Sequence, residues 1–273
     1  MSLLGSSKFL LRKYRIVPNK FLGQNFMVES SIFQLMSDYA SLDKNDIALD
    51  IGAGLGFLTR FLADKCRTVV AVEVDLKLVA VLGKQLEDLN NVKVIRGNVL
   101  KAQLPAFNKV VSIPPYQISS RLLLWIFDRS FDCAVIIFQK EFADRLVAPI
   151  GSENYGWLTV LTYYHAEAEL LEAVEKFLFY PQPEVDSIIV RLKPRKQPPF
   201  ALNNITVFRR MVRSMFTQRN RKVRNAILPF LKGMQGASSN DAAKLVEILP
   251  FRDRRVRELA PEDFGAISNA IIS

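Results

Sequence analysis

The sequence predicts an α/β protein, a parallel sheet with helices on both faces, followed by a small helical domain toward the C-terminus. Three observations carry this. Short apolar runs alternate with stretches of helical spacing from Ile47 onward, the pattern of consecutive βαβ units. The stretch 47–59, IALDIGAGLGFLT, breaks into glycines at 52, 54 and 56 and then resumes apolar spacing, which reads as strand, tight turn, helix. Charge is also divided: residues 191–257 hold 17 Lys+Arg against 3 Asp+Glu, so this segment carries +14 of a net +10 and the remainder is mildly acidic.

Residues 1–20 read as a basic arm or short amphipathic helix, followed by Phe-Leu-Gly-Gln-Asn-Phe at 21–26 and by helical spacing through Ile32, Leu35, Met36 and Tyr39. Strands are expected at 47–51, 69–73, 92–95, 109–112 and 133–138, and two later ones around 158–165 and 187–192 finish the sheet. The Pro/Lys-rich stretch 193–200 reads as a linker, and helical periodicity returns at 207–215 and 242–249. The expected division is therefore 1–195 for the sheet domain and 196–273 for a basic helical domain. No run approaches the 18 apolar residues of a membrane span, and the basic N-terminus lacks a hydrophobic export core, so a cytoplasmic protein is expected. With Cys66 and Cys133 far apart and His165 the single histidine, the sequence offers neither a metal cluster nor a disulfide framework.

Glycines at the end of a strand let a ligand lie against bare backbone. The dinucleotide fingerprint is G-x-G-x-x-G; here the third glycine comes one residue early and Phe57 stands where that fingerprint wants Gly. Asp50, Gly52, Gly54 and Gly56 instead form D-x-G-x-G-x-G, the pattern of S-adenosylmethionine methyltransferases and their Rossmann-like sheet. Glu73 ends the next apolar run, 21 residues past Gly52, where an acid accepts the ribose hydroxyls of a nucleoside. Asp75 is an alternative acceptor or a solvated surface acid. Asn98 follows the third strand and reads either as a partner for the adenine edge of the cofactor or as a turn residue.

The fourth strand ends in Ser112-Ile113-Pro114-Pro115-Tyr116. Consecutive prolines leave a strand end with bare carbonyl acceptors and no amide donors, and an aromatic follows at once. Bare acceptors beside a ring suit a flipped nucleobase: the ring stacks on it while the acceptors hold its exocyclic amine.

Across nearly its whole length the chain resembles the ribosomal RNA adenine dimethyltransferases (the KsgA family). The resemblance rests on 21–26, the glycine turn, Glu73, Gly97-Asn98, Tyr116–Ser120, Tyr155-Gly156, 179–187 (FYPQPEVDS) and 216–224 (FTQRNRKVR). It implies S-adenosylmethionine as cofactor, with Gln24, Asn25 and Phe26 on the cofactor side and Ser112 shared between cofactor and catalysis. Small-subunit ribosomal RNA or a pre-ribosomal particle is the implied partner, bound by a monomer without membrane or metal. Phe179 is a candidate for the second face of the base, or a core phenylalanine. Arg219, Arg221, Lys222 and Arg224 are the candidate phosphate contacts.

The family has Asn-x-Pro-Tyr where this chain has Ile113-Pro114-Pro115-Tyr116, and usually an acid where Asn98 stands. Isoleucine has no acceptor, so Ser112 or a backbone carbonyl must replace the missing one. The doubled proline resembles the Ser-Pro-Pro-Tyr of cytosine-N4 methyltransferases, which tilts the expected target narrowly to cytosine N4, with adenine N6 close behind. The alternative is a member without catalysis, acting as an RNA-binding ribosome assembly factor or a nucleic-acid-binding transcription factor.

Overall fold

The computed structural model describes residues 2–234 and 239–272. The chain forms two compact units, one of Met1–Ala143 with Ala168–Pro194, the other of Asp144–Glu167 with Arg195–Ser273. This differs from the single cut expected at residue 195. The segment Asp144–Glu167 packs with the C-terminal helices rather than with the sheet that surrounds it in sequence.

The first unit opens with α1 (Leu3–Lys13) and the short β1 (Phe26–Met27), then α2 (Ser31–Ala40). Strands and helices alternate through β2 (Ile47–Ile51), α3 (Phe57–Ala63), β3 (Thr68–Glu73), α4 (Leu76–Gln85), β4 (Val92–Arg96), β5 (Lys109–Ser112), α5 (Ser119–Phe127) and β6 (Cys133–Gln139), with α6 (Lys140–Asp144) following. Strands β2 to β6 pair in parallel, as the alternation predicts. Their interiors are nearly continuous apolar runs because helices cover both faces. Ala48, Val69, Val111, Val135 and Ile137 meet Met36, Leu58 and Leu62 of α2 and α3 on one face. The alternating residues Leu49, Val70, Val110, Ala134 and Ile136 are equally buried.

The first correction to the sequence reading lies at 158–165. That run is helix α7 (Trp157–His165), and the strand expected there is the next segment, β7 (Ala166–Val174). A short run rich in Val, Thr and Tyr does not separate a buried helix from a strand by periodicity. Its helix starts where the Gly156 N–H donates to the Thr159 hydroxyl, and Leu158, Val160, Leu161 and Thr162 are buried at successive positions. After β8 (Phe179–Tyr180), β9 (Ser187–Pro194) joins the sheet antiparallel to β6, giving the order β4-β3-β2-β5-β6-β9-β7.

The second unit is helical. Besides α7 it contains α8 (Ile205–Phe216), α9 (Val223–Ala226), α10 (Leu228–Lys232), α11 (Ser239–Ile248) and α12 (Pro261–Ile272). Asn204 caps α8, its side-chain oxygen accepting from the Thr206 and Val207 amides. Phe208, Met211, Val212 and Met215 then bury one stripe of α8, alongside Phe264 and Ile267 of α12. Among the described residues no helix is long and apolar enough to cross a membrane.

Candidate active site

The carboxyl ends of β2, β3 and β4 meet at one cleft of about 280 Å³. At the end of β2 the chain turns over the tip of β3, where the Gly52 and Ala53 amides both donate to the Val72 carbonyl (2.8 and 3.2 Å). Gly52 has φ +73°, and a Cβ there would stand 2.9 Å from Pro115 Cδ, so the residue is needed both for the turn and for the approach of the proline segment. Gly52 and Gly54 line the cleft. Gly56 does not, contrary to expectation: a Cβ there would meet Leu82 of α4 at 2.9 Å, so this glycine serves helix packing.

Glu73, 6% exposed, is the hub of this wall. Its Oε2 accepts from the Gly54 amide (2.9 Å), and its Oε1 accepts from Val74 (2.7 Å) and Asp75 (2.9 Å). Burial pushes its pKa up while these three amides oppose the shift. A carboxylate offers about four lone-pair positions, so Oε2 keeps acceptor capacity toward the cleft. Asp75 is neither a ribose acceptor nor a merely solvated acid. It caps α4, accepting from the Lys77 amide (2.8 Å), and it also accepts from Gln24 Nε2 (2.8 Å). Asn98 makes the turn after β4, its Oδ1 accepting from the Leu100 amide (3.0 Å), while its exposed amide nitrogen stays free at the cleft.

Asp50 lies behind this wall: it is 1% exposed, borders a smaller adjoining pocket together with Asn25, Gly52, Gly54 and Ile113, and accepts from the Thr59 hydroxyl (2.7 Å), tying the end of β2 to α3. Burial pushes its carboxyl up to about 7, the Thr59 bond opposing and the charge of Glu73 adding.

The facing wall is the end of β5. Ile113, Pro114, Pro115 and Tyr116 all line the cleft. The Pro115 carbonyl accepts from Ile118 and that of Tyr116 from the Ser119 hydroxyl, whereas the carbonyls of Ile113 and Pro114 have no donor among the described residues. The Tyr116 hydroxyl shares a hydrogen bond with Ser187 of β9 (2.7 Å), which fixes the outer edge of a ring that lines the cleft. Ser112 is not available as the replacement acceptor. It is fully buried, its hydroxyl donates to the Ile51 carbonyl (2.8 Å) and accepts from the Ile51 amide (2.9 Å), and so it stitches β5 to β2. Phe179 is likewise 3% exposed within the core beside Met27, Phe33 and Ile189, the core alternative of its two readings.

The third wall is the N-terminal segment. Gln24, Asn25 and Phe26 line the cleft, but the Gln24 amide is used at both ends, accepting from Asn19 N (2.8 Å) and donating to Asp75. Phe26 packs under Gly54, where a Cβ would meet its ring at 3.1 Å. Phe21 and Gln117, inside the segments 21–26 and 116–120 that carry the resemblance but not singled out there, also line the cleft, as does Arg121, which sequence reasoning missed. The four-residue spacing of Gln117 and Arg121, on a helical segment after Tyr116, was the available signal.

In the helical unit the four nominated cations are unequal. Arg219 donates to the Ser152 and Glu153 carbonyls (2.6 and 2.5 Å), while Arg224 and Lys222 pair with Asp253 (2.7 and 3.6 Å). Arg221 alone of the four has no side-chain partner among the described residues.

A parallel sheet whose first strand ends in a glycine turn, whose second ends in a buried carboxylate and whose fourth ends in a proline-aromatic acceptor segment defines a methyltransferase of the S-adenosylmethionine-dependent class. The donor set fits that cofactor: Glu73 keeps an acceptor for a ribose, Asn98 an amide for a base edge, and Gly52 and Gly54 give bare backbone between them. The chain belongs to the ribosomal RNA adenine dimethylase family, whose model matches residues 17–257. A probable ribosomal RNA small subunit methyltransferase A of Methanosarcina mazei is 38% identical over 264 residues, covering 96% of each chain. That of Thermococcus kodakarensis is 38% identical over 257 residues, 93% of this chain and 90% of its own. Among solved structures, a dimethyladenosine transferase from Plasmodium falciparum superposes with a TM-score of 0.76 at 26% identity, covering 89% of this chain and 95% of its own. The 23S rRNA methyltransferase ErmE gives a TM-score of 0.66 at 26% identity, covering 91% and 100%. The protein is thus a ribosomal RNA methyltransferase using S-adenosylmethionine. The lean to cytosine N4 finds no support, since the family description and the Plasmodium structure both specify adenine.

Proposed function

We propose that the chain dimethylates the exocyclic N6 of adenine in small-subunit ribosomal RNA, acting in the cytoplasm. The observation that carries this reading is the pair of carbonyls, of Ile113 and Pro114, that have no donor among the described residues and stand in the same cleft lining as Tyr116 and Glu73. An exocyclic amine has two hydrogens, and two main-chain acceptors can hold both without the side chain that Ile113 lacks. The names of the relatives supply the RNA and the base.

When bound, S-adenosylmethionine supplies an electrophilic methyl group on a sulfonium sulfur. Glu73, through the free capacity of Oε2, would hold the ribose of the cofactor, Asn98 would hold its adenine, and the Gly52–Gly54 backbone and Asn25 would border its remainder. Tyr116 stacks on the flipped base, and Pro114, with the Ile113 carbonyl, accepts the amine hydrogens so that the nitrogen lone pair is directed out of conjugation with the ring. Orientation and exclusion of water supply much of the acceleration. Cys66 and Cys133 are both buried away from the cleft, and burial pushes the Cys66 thiol up to about 11, so neither offers a nucleophile for a covalent intermediate.

Incubation with methyl-labelled S-adenosylmethionine and small-subunit particles lacking the modification tests this. Label in the RNA is expected. S-adenosylmethionine binding without transfer would instead favour an RNA-binding assembly factor.

A further inference from the structure

Phe21 is 94% exposed, more than any other large apolar side chain among the described residues, and it stands at the rim of the cleft. A single exposed aromatic is ordinary on a protein surface. This one differs because its backbone is held in place. It sits in the 3-10 turn Lys20–Leu22, where Asn19 Oδ1 accepts from the Phe21 amide (2.9 Å) and the Gly23 amide donates to the Lys20 carbonyl (3.0 Å). The turn is tied to both cleft walls. Gln24, whose side chain accepts from Asn19 N, is anchored on Asp75, and Gln117 Nε2 of the base wall donates to the Lys20 carbonyl (3.1 Å). Lys20, next to Phe21 in the turn, and Arg121, in the cleft lining, are exposed, with no side-chain partner among the described residues.

We infer that Phe21 is an RNA-positioning residue: it stacks on the unpaired base next to the flipped target, while Lys20 and Arg121 meet the flanking phosphates. A flat apolar face on a rigid turn, flanked by two free cations at the mouth of a base pocket, is the arrangement that single-stranded nucleic acid takes. A target base in the cleft carries its sugar-phosphate chain out over this rim, which delivers the neighbouring base to Phe21. The inference rests on the proposed RNA methylation and adds a contact outside the reacting base.

The test compares Phe21→Ala, Phe21→Leu and Phe21→Trp with the wild type. RNA affinity is measured by fluorescence anisotropy on a single-stranded small-subunit fragment, and S-adenosylmethionine affinity by calorimetry without RNA. Loss of one stacked base should weaken RNA binding, and lower kcat/KM, about tenfold in Phe21→Ala. Phe21→Leu should behave like Phe21→Ala, Phe21→Trp like the wild type, and all four proteins should bind S-adenosylmethionine within about twofold, an expectation of the stacking model. Unchanged RNA affinity in Phe21→Ala, or full function in Phe21→Leu, overturns the inference. A parallel loss of S-adenosylmethionine affinity would make Phe21 a cover for the cofactor instead and also overturns it. Because RNA affinity is read without turnover, a wild type that binds RNA but transfers no methyl group fails the proposed function and leaves this test decisive.

Discussion

Two of the three walls of the cleft, the cofactor wall around Glu73 and the base wall at the end of β5, are built by different means. On the cofactor wall the amides of Gly54, Val74 and Asp75 converge on Glu73, Gly52 is pinned to β3, and every tie serves another. On the base wall Ser112 and Tyr116 are each committed to a neighbouring strand, Ile113 packs partly into the core, and only main-chain carbonyls remain open. A wall that depends on a side-chain hub has one residue it cannot lose. A wall that presents backbone acceptors tolerates a side chain without one beside them, as Ile113 is here.

Substitution of Glu73 should have the largest effect. Glu73→Ala strands three amides and removes the proposed ribose acceptor, so S-adenosylmethionine affinity measured by calorimetry should fall on the order of a hundredfold or more. Loss of less than about fivefold would show that the cofactor wall has no such hub. Asp50 tests the same wall through pH. Its carboxyl, pushed up to about 7 by burial from an ordinary 3.8, keeps a proton in the folded state that the unfolded chain releases. Its contribution to stability is therefore full below about pH 4, falls as pH rises toward 7 and is level above that, a change on the order of a few kcal/mol. Asp50→Asn should flatten the decline in Tm between those pH values. Parallel profiles would mean that Asp50 is ionised throughout.

On the base wall, Tyr116→Ala should lower kcat/KM by roughly 10- to 100-fold through lost stacking while S-adenosylmethionine affinity stays within twofold. A fall in both would mean that the walls are not separable. Away from the cleft, Arg221→Gln should lower the salt slope of RNA binding by about one, whereas Arg219→Gln should act mainly on stability because its donors hold the Ser152 and Glu153 carbonyls. Equal slopes in the two variants would contradict that division. The smallest effect is expected at Ile113. Since two carbonyls are already open, Ile113→Asn should change kcat/KM by less than about threefold, and a rise of tenfold or more would show that the base wall is short of an acceptor.

What could be read from the sequence follows the same contrast. The parallel strands, the glycine turn, Glu73 and the Pro-Pro-Tyr segment were legible because each is a local pattern with one steric or chemical meaning. Asp50, Gly56 and Ser112 were assigned to ligands although they hold β2, α3, α4 and β5 together, because a buried acid, a glycine or a serine near a site looks the same in sequence whichever way it points. Phe179 went unresolved for the same reason, its core position being decided by the pairing of Phe26–Met27 with Phe179–Tyr180. The helix at Trp157–His165 was read as a strand because burial on several sides erases its periodicity. Phe21 lies in the 21–26 segment named from the sequence, but its 94% exposure could not be read there, since exposure of a phenylalanine is a property of the fold alone.

The proposed dimethylation of adenine N6 is tested most directly by nucleoside mass spectrometry of unmodified small-subunit RNA after incubation with the wild-type protein and S-adenosylmethionine. N6,N6-dimethyladenosine should appear, and it should appear in undiminished yield with Ile113 in place. N4-methylated cytidine, or the absence of any new methylated nucleoside, would contradict it.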